Sequence, residues 1–191
     1  MRKVVFDIET RNIFEDVGKN DPTLLDISVV ALHDSLTDSY SSFVQEEFVR
    51  MWPVFESADA LIGFNSEHFD IPLLNKYYSG DLTKIKSIDL MAAVKNALGR
   101  RLSLGNIAQA TLGIKKSADG LQAYNWWKEG KVQEIRDYCV QDVKVTKELY
   151  EHILEHRKIK YRDGQNMFEL PIDTTGWEDK GDHSMTFSLG F

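Results

Sequence analysis

Val4-Val5-Phe6-Asp7-Ile8-Glu9-Thr10, close to the start of a 191-residue chain, governs the reading of everything after it. From Arg2 to Ile8 the residues are mostly β-branched or apolar, which reads as a buried first strand. Side chains alternate faces along a strand, so Asp7 and Glu9 point the same way. Two acids on one face of an otherwise apolar, central strand are costly to bury without a cation beside them. Hard divalent ions prefer such oxygen ligands. A strand end that delivers both acids to water accounts for the pair equally well, and spacing alone leaves both readings open.

Working outward, the chain reads first as a meander and then as an alternation. Asn12 to Pro22 is polar, carries Gly18 and Asn20, and reads as a loop. Asp26–His33 and Ser39–Val44 read as two further strands around a polar turn. Gln45–Ser57 has helical spacing, with Pro53 predicting a kink or an early break. Ala60–Phe64 is a short strand, Phe69–Tyr78 a helix opened by Pro72, and Lys86–Asp89 another short strand. Met91–Leu98 is a helix stopping near Gly99. Ser103 reads as the N-cap of a helix that runs to Leu112 and ends at Gly113. Gly120–Gly130 is an aromatic helix, and Val132–His156 is the longest periodic helix. Lys158–Arg162 and Gln165–Ile172 form a hairpin around Asp163-Gly164, predicted as a type I′ turn. Asp173–Phe191 is polar and expected to be loosely ordered. The expected fold class is α/β: a mixed sheet, three antiparallel strands joined by parallel ones, flanked by helices and followed by a C-terminal β-hairpin. The expected division is residues 1–157 as the main domain, with 158–191 either part of it or a small appendage.

Composition narrows the classes. Hydrophobic residues make up 42%, enough for a sizeable core, and no apolar run approaches the roughly 20 residues of a membrane span. One cysteine, Cys139, excludes an intrachain disulfide, so a reducing, cytoplasmic setting is expected. The net charge of −7 argues against coating nucleic acid by bulk electrostatics. It leaves room for an acidic site whose charge is offset locally by cations.

Two other segments offer acids. Asp70 follows Ile62-Gly63-Phe64-Asn65 at a helix start, where the helix dipole alone accounts for an acid. Tyr138 and Asp142 are four apart and share a helix face, as a half-buried tyrosine and a surface acid also would. Convergence of the three segments is what two-metal phosphoryl chemistry requires, with ions roughly 3.5–4 Å apart.

Together these residues resemble the motifs of the DEDD exonuclease superfamily. Phe6-Asp7-Ile8-Glu9-Thr10 is similar to its first motif, and Asn65 followed by Phe69-Asp70 to its second. Tyr138-Cys139-Val140-Gln141-Asp142 is similar to its third in the tyrosine form (DEDDy); the histidine form would need histidine where Asp137 stands. The resemblance covers roughly residues 1–157 and implies a ribonuclease H-like fold. It is nearest to stand-alone or helicase-associated exonucleases, whose Asp-Leu after the fifth strand is echoed by Asp89-Leu90.

That resemblance implies a 3′→5′ exonuclease acting on the 3′ end of single-stranded DNA or RNA. It implies two Mg²⁺ or Mn²⁺ ions, with Asp7 bridging, Glu9 and Asp142 completing one site and Asp70 supporting the other. Tyr138 would orient the attacking water, and Thr10, Asn65 and Phe69 would contact substrate. A helicase or another DNA-processing protein is the implied partner, and no membrane is expected. Phe14 reads equally as a stacking residue or loop packing, and Trp126, Trp127 and Tyr124 as core aromatics. Lys95, Arg100 and Arg101 are either phosphate ligands or a solvated face. Asp89 reads as a helix cap. His152 and His156 read as surface residues, and His183 has no ligand spacing. The rival readings are a non-catalytic nucleic-acid-binding module, a ribonuclease H-like endonuclease, and a metal-dependent nucleotidase.

Overall fold

The computed structural model describes residues 1–115 and 120–180. Five strands form one mixed sheet in the order β3-β2-β1-β4-β5: β1 (Lys3–Thr10), β2 (Ile27–Asp34), β3 (Ser39–Phe43), β4 (Ala60–Gly63) and β5 (Ser87–Asp89). The first three pair antiparallel, and β4 and β5 add on in parallel. This is the expected meander with parallel strands. β1 is central, with β2 on one side and β4 on the other.

Alternation on β1 divides the core. Val4, Phe6 and Ile8 enter one cluster, with Phe48, Met51 and Phe55 of α2 (Phe48–Glu56) and Ile71, Leu73 and Leu74 of α3 (Asp70–Asn75). Val5 enters the other, under α4 (Leu90–Leu98), α5 (Leu104–Leu112), α6 (Gly120–Lys128) and α7 (Val132–His156). Asp7 and Glu9 therefore belong to the α7 face. β2 follows the same alternation until its register with β1 shifts between Glu9 and Thr10, which places Ser28 as the extra residue. The bulge moves Ile27 to the α2 face, although Val29 and Ala31 lie on the other. Bulges of this kind re-aim side chains beside functional sites.

The caps of α4 and α5 act as expected. Asp89 accepts from the N–H groups of Met91 and Ala92, Ser103 from Asn106, and Gly99 and Gly113 end the helices in left-handed conformations. Pro53 does not break α2, which continues to Glu56. A proline removes the hydrogen bond to the carbonyl four residues back. That residue, Val49, is 75% exposed, on the helix's solvent side, where a lost helical hydrogen bond costs least.

Several expectations are corrected. Asn12–Pro22 is not all loop: α1 (Phe14–Val17) forms inside it, with the Asp16 carboxylate accepting from the Ile13 N–H and Gly18 closing it. α3 stops at Asn75, short of Tyr78, because Tyr77 turns to donate to Asp26 while accepting from the Ile27 N–H. In the hairpin of β6 (Lys158–Asp163) and β7 (Asn166–Pro171), Asp163 pairs with Asn166, so Gly164 and Gln165 make the turn. Of these two only Gly164 has positive φ, which fits the II′ pattern rather than I′.

The hairpin lies on α5. Asn106 exchanges hydrogen bonds with the backbone of Arg162, and Thr111 with that of Lys160, so two helix side chains cover a strand edge that would otherwise be open. The beginning of the tail is tied down rather than loose. Trp177 stacks on Tyr150 at 5.7 Å, and Lys86 donates to the carbonyls of Gly176, Trp177 and Asp179. The remainder of the stretch expected to be loosely ordered, residues 181–191, lies outside the described residues.

Gly63 ends β4 where the chain turns toward Asp70. A Cβ there would sit 2.4 Å from Cβ of Ser66, which cannot swing away as a long side chain could. Gly63→Ala is therefore expected to destabilise the protein by about 1–3 kcal/mol, read as a lower midpoint in urea unfolding.

Candidate active site

The opening that becomes the site is a consequence of strand pairing. β4 pairs with β1 only from Lys3 to Val5, so β1 runs on alone along that side from Phe6 to Thr10. The chain departs from β1 in opposite directions, to β2 and to β4, and such switch points leave a crevice beyond the strand ends. Here the crevice is a cavity of about 530 Å³, the size of a small-ligand pocket.

Asp7 and Glu9 enter it from β1, and Asp142 from α7. Asp7, Glu9 and Asp142 each offer a carboxylate oxygen, and these atoms lie within 4.8 Å of one another. Segments more than 130 residues apart in sequence thus converge at coordination range, far inside the roughly 10 Å beyond which sharing ions about 4 Å apart would fail. An all-oxygen set of three acids fits a hard divalent cation.

Asp70 lines the same cavity and is 4% exposed. Burial, reinforced by the negative charges of Asp7 and Asp89, pushes its carboxyl well above the usual carboxylate range. A cation here would reverse that balance and favour the ionised form.

α7 is held against β1 at the site itself. Cys139, wholly buried, donates its thiol to the Asp7 carbonyl at 3.3 Å and lies 3.6 Å from Oδ2 of the same residue. Burial first, then the charges of Asp7, Glu9 and Asp142, push the thiol's pKa up, so it stays a donor. Tyr138, 4% exposed, lines the cavity one helical turn before Asp142. Its ring meets Trp126 edge-on at 6.0 Å. Trp126 and Trp127 pack against the core as expected, and Arg11 lies over the Trp127 ring at 4.7 Å. Tyr124 ties α6 to α1 by donating to Asp16.

The three expected substrate residues all line the cavity. Thr10 sits at the end of β1 beside the bulge, its hydroxyl donating to the Asn12 carbonyl. Asn65 has φ of 69°, a left-handed conformation that asparagine tolerates better than most residues. Phe69 meets Phe14 edge-to-face at 6.0 Å, so Phe14 belongs to the wall as a pair with it.

Asp89 does more than cap a helix. Besides Met91 and Ala92 it accepts from the N–H groups of Asn65 at 2.8 Å and Glu67 at 3.1 Å. One carboxylate thus joins the turn before Asp70 to the start of α4. Its cap role is visible in Asp89-Leu90; its grip on residues 24 positions earlier has no local signal. The opposite wall, Met91 and Leu102 to Leu104, likewise reads in sequence only as core and cap. His152 and His156 adjoin at 4.3 Å, with no metal-binding cluster around them among the described residues. His183 lies outside those residues. No described helix is long and apolar enough to cross a membrane.

The family model RNase_H_2, of the RNase_H superfamily, matches residues 4–154. Among solved structures, the family B DNA polymerase from the hyperthermophilic archaeon Pyrobaculum calidifontis is similar, with a TM-score of 0.61 and 20% identity. The match covers 81% of this chain and 24% of the polymerase chain, so this chain spans about a quarter of that protein's length. At this identity the likeness is one of fold: a ribonuclease H-like α/β sheet. No curated protein matches the chain.

The raised Asp70 carboxyl makes a pH prediction. Unfolded, Asp70 ionises near about pH 3.9; folded, it holds its proton to higher pH. The native state then binds more protons, so stability contributed here falls as pH rises. Metal-free protein is expected to melt lower at about pH 8 than at about pH 5.5. Asp70→Asn should flatten that slope and raise the melting temperature at the higher pH by several degrees, since about 1 kcal/mol moves it roughly 2–4 °C in a domain of this size. Calorimetry in EDTA at both pH values measures this.

Proposed function

The chain belongs to the RNase H superfamily, and from that premise we propose that it is a metal-dependent 3′→5′ exonuclease of the tyrosine-type DEDD class. Its substrate is the 3′ end of single-stranded DNA or RNA, and its product a nucleoside 5′-monophosphate. One observation supports this above the rest. The carboxylate oxygens of Asp7, Glu9 and Asp142 lie within 4.8 Å of one another, in a cavity that also holds Asp70 and Tyr138.

Asp7, Glu9 and Asp142, with Asp70 beside them, would hold two Mg²⁺ or Mn²⁺ ions. Such ions, when bound, lower the pKa of water and neutralise charge growing on the phosphate. The protein's own contribution is placement. Asp7 is fixed from behind by the Cys139 thiol, which donates to its carbonyl. The Tyr138 hydroxyl positions the attacking water. That water adds to the phosphorus of the terminal nucleotide in line with the bond to the penultimate O3′. The P–O3′ bond breaks, O3′ takes up a proton, and the terminal nucleotide leaves with its 5′-phosphate.

Substrate contacts follow from the walls. Phe14 and Phe69 present aromatic surface on which an unpaired base stacks, an interaction tolerant of sequence and closed to a paired base. Asn65 and Thr10 flank the acids and meet the terminal sugar. A cavity of about 530 Å³ accommodates one nucleotide end rather than a duplex.

The test uses single-stranded DNA and RNA labelled at either end, with Mg²⁺, Mn²⁺ or EDTA. A 5′-labelled strand should shorten stepwise, a 3′-labelled strand should release labelled mononucleotide first, and EDTA should stop both. Asp142→Ala should abolish cleavage. Tyr138→Phe should lower kcat by about 10²-fold with little change in KM, as expected for loss of a positioned proton-handling group. A blocked 3′ end should protect the strand. Internal cuts in blocked strands would instead identify an endonuclease, and metal-dependent binding without any cleavage a non-catalytic module.

A further inference from the structure

We infer that the side chains of Lys95 and Arg101 form a second nucleic-acid subsite, which holds backbone phosphates of the strand as it leaves the catalytic pocket. The inference rests on the exonuclease reading for where the strand ends, and adds the route it takes. A separate cleft of about 210 Å³ lies beside the catalytic cavity, its lining including Asn65, Glu67, Asp89, Met91, Lys95 and Arg101. Asn65 and Met91 line both, so the two hollows adjoin. Arg101 also directly precedes Leu102 and Ser103 of the catalytic wall.

The charges around the two hollows are unequal. On the α1 side the pocket is lined by Glu15, and Asp16 follows it. A phosphate backbone leaving there would meet like charge. On the cleft side Lys95 and Arg101 are exposed, and their side chains make no hydrogen bond or ion pair among the described residues. Of the cleft's two acids only Glu67 is exposed; Asp89 is buried and accepts from four backbone N–H groups, so the two cations dominate the exposed surface.

Other nearby cations are already engaged. Arg100 donates to Asp163 at 2.8 Å, and Lys76 to Asp26 at 2.8 Å. Arg11 donates to the Ile27 carbonyl and covers Trp127, and Lys128 lies over Tyr124 at 3.9 Å. Unpaired cations fixed beside an acidic cavity are suited to a polyanion that must reach it. Contacts to phosphate position a strand without reading its bases.

The walls of the cleft are rigid. The Asp89 carboxylate accepts from Asn65 and Glu67 on one side and from the first turn of α4 on the other. Lys95 lies on α4 itself, and Arg101 lies two residues past its cap at Gly99. The backbone that carries the two cations is therefore tied to the rim of the pocket, while their long exposed side chains are free to follow a strand.

The experiment measures binding of a fluorescent oligothymidylate by anisotropy in Ca²⁺ across a salt series, for wild type and the Lys95→Ala/Arg101→Ala double variant. Both residues are exposed, so the variant should fold as the wild type does; its melting temperature checks this. Affinity is expected to fall about tenfold or more, and the slope of log K against log salt to become shallower by about 1.4, roughly 0.7 for each single-strand phosphate that a side chain no longer neutralises. A Lys95→Arg/Arg101→Lys variant should retain most of the affinity and the wild-type slope. An affinity and slope unchanged in the alanine variant would overturn the subsite. Hydrolysis of the p-nitrophenyl ester of thymidine 5′-phosphate, too short to reach the cleft, is read in parallel with Mg²⁺ and should be equal in wild type and variant. Its loss in the alanine variant would also overturn the subsite, placing these residues in the chemistry. Its absence in the wild type counts against the catalytic reading alone, because the binding measurement still decides the cleft.

Discussion

Carboxylates crowded at one end of a central strand repel one another, and the local structure is arranged around that repulsion. Two unit charges about 5 Å apart at an effective dielectric near 20 cost roughly 3 kcal/mol. Asp7, Glu9 and Asp142 lie at that range, and Asp70 joins them as a buried group. Among the described residues, nothing cationic from the protein lines the cavity. The site is therefore a poor resting place for four bare charges and a good one for divalent cations. At Asp70 burial comes first and the repulsion adds to it: without a metal, a proton is the counter-charge that both favour.

Holding such a site together requires neighbours that do not themselves bring charge. The apolar face of β1, with Phe6 against Phe55 at 5.3 Å, anchors the strand from below. From above, α7 is fixed through the neutral Cys139 thiol rather than through an ion pair. Further off, Arg136 at the start of α7 binds the Ser42 carbonyl and Glu47, fastening the helix at the sheet's edge. Charged fasteners stand away from the acids and neutral ones beside them. A lysine or arginine nearer the cavity would neutralise the carboxylates and compete with the cations they suit.

The same division explains what could be read from the sequence. β1, the Ser103 cap and the full span of α7 follow from periodicity and capping, which are local properties. The approach of Asp7, Glu9 and Asp142 was legible only as a pattern of three motifs in order, because no local rule brings residue 142 to residue 7. The bulge at Ser28 turns on a pairing partner and leaves no mark of its own in the sequence. Asp89's hold on Asn65 and Glu67, the packing of Trp177 on Tyr150, and the helix side chains that cover β6 are likewise long-range. The turn at Gly164-Gln165 is a local failure: Asp-Gly suits a I′ turn, but pairing of Asp163 with Asn166 moved the turn one residue on.

A net charge of −7 is compatible with the proposed nucleic-acid substrate because the two act over different distances. At physiological ionic strength the screening length is about 8 Å, so a phosphate in the pocket feels its immediate surroundings far more than the molecule's total. Locally, three converging carboxylates would become a neutral or positive spot on binding divalent ions, while acids outside that radius hardly count. Such a protein gains little from long-range attraction and should not bind nucleic acid indiscriminately. On the proposed exonuclease reading, its grip would rest on a strand end that reaches the carboxylates and on the few cations proposed along the exit. On that reading a preference for ends over the middle of strands would come from the pocket, where β1 and α7 gather the carboxylates, and not from the molecule's total charge.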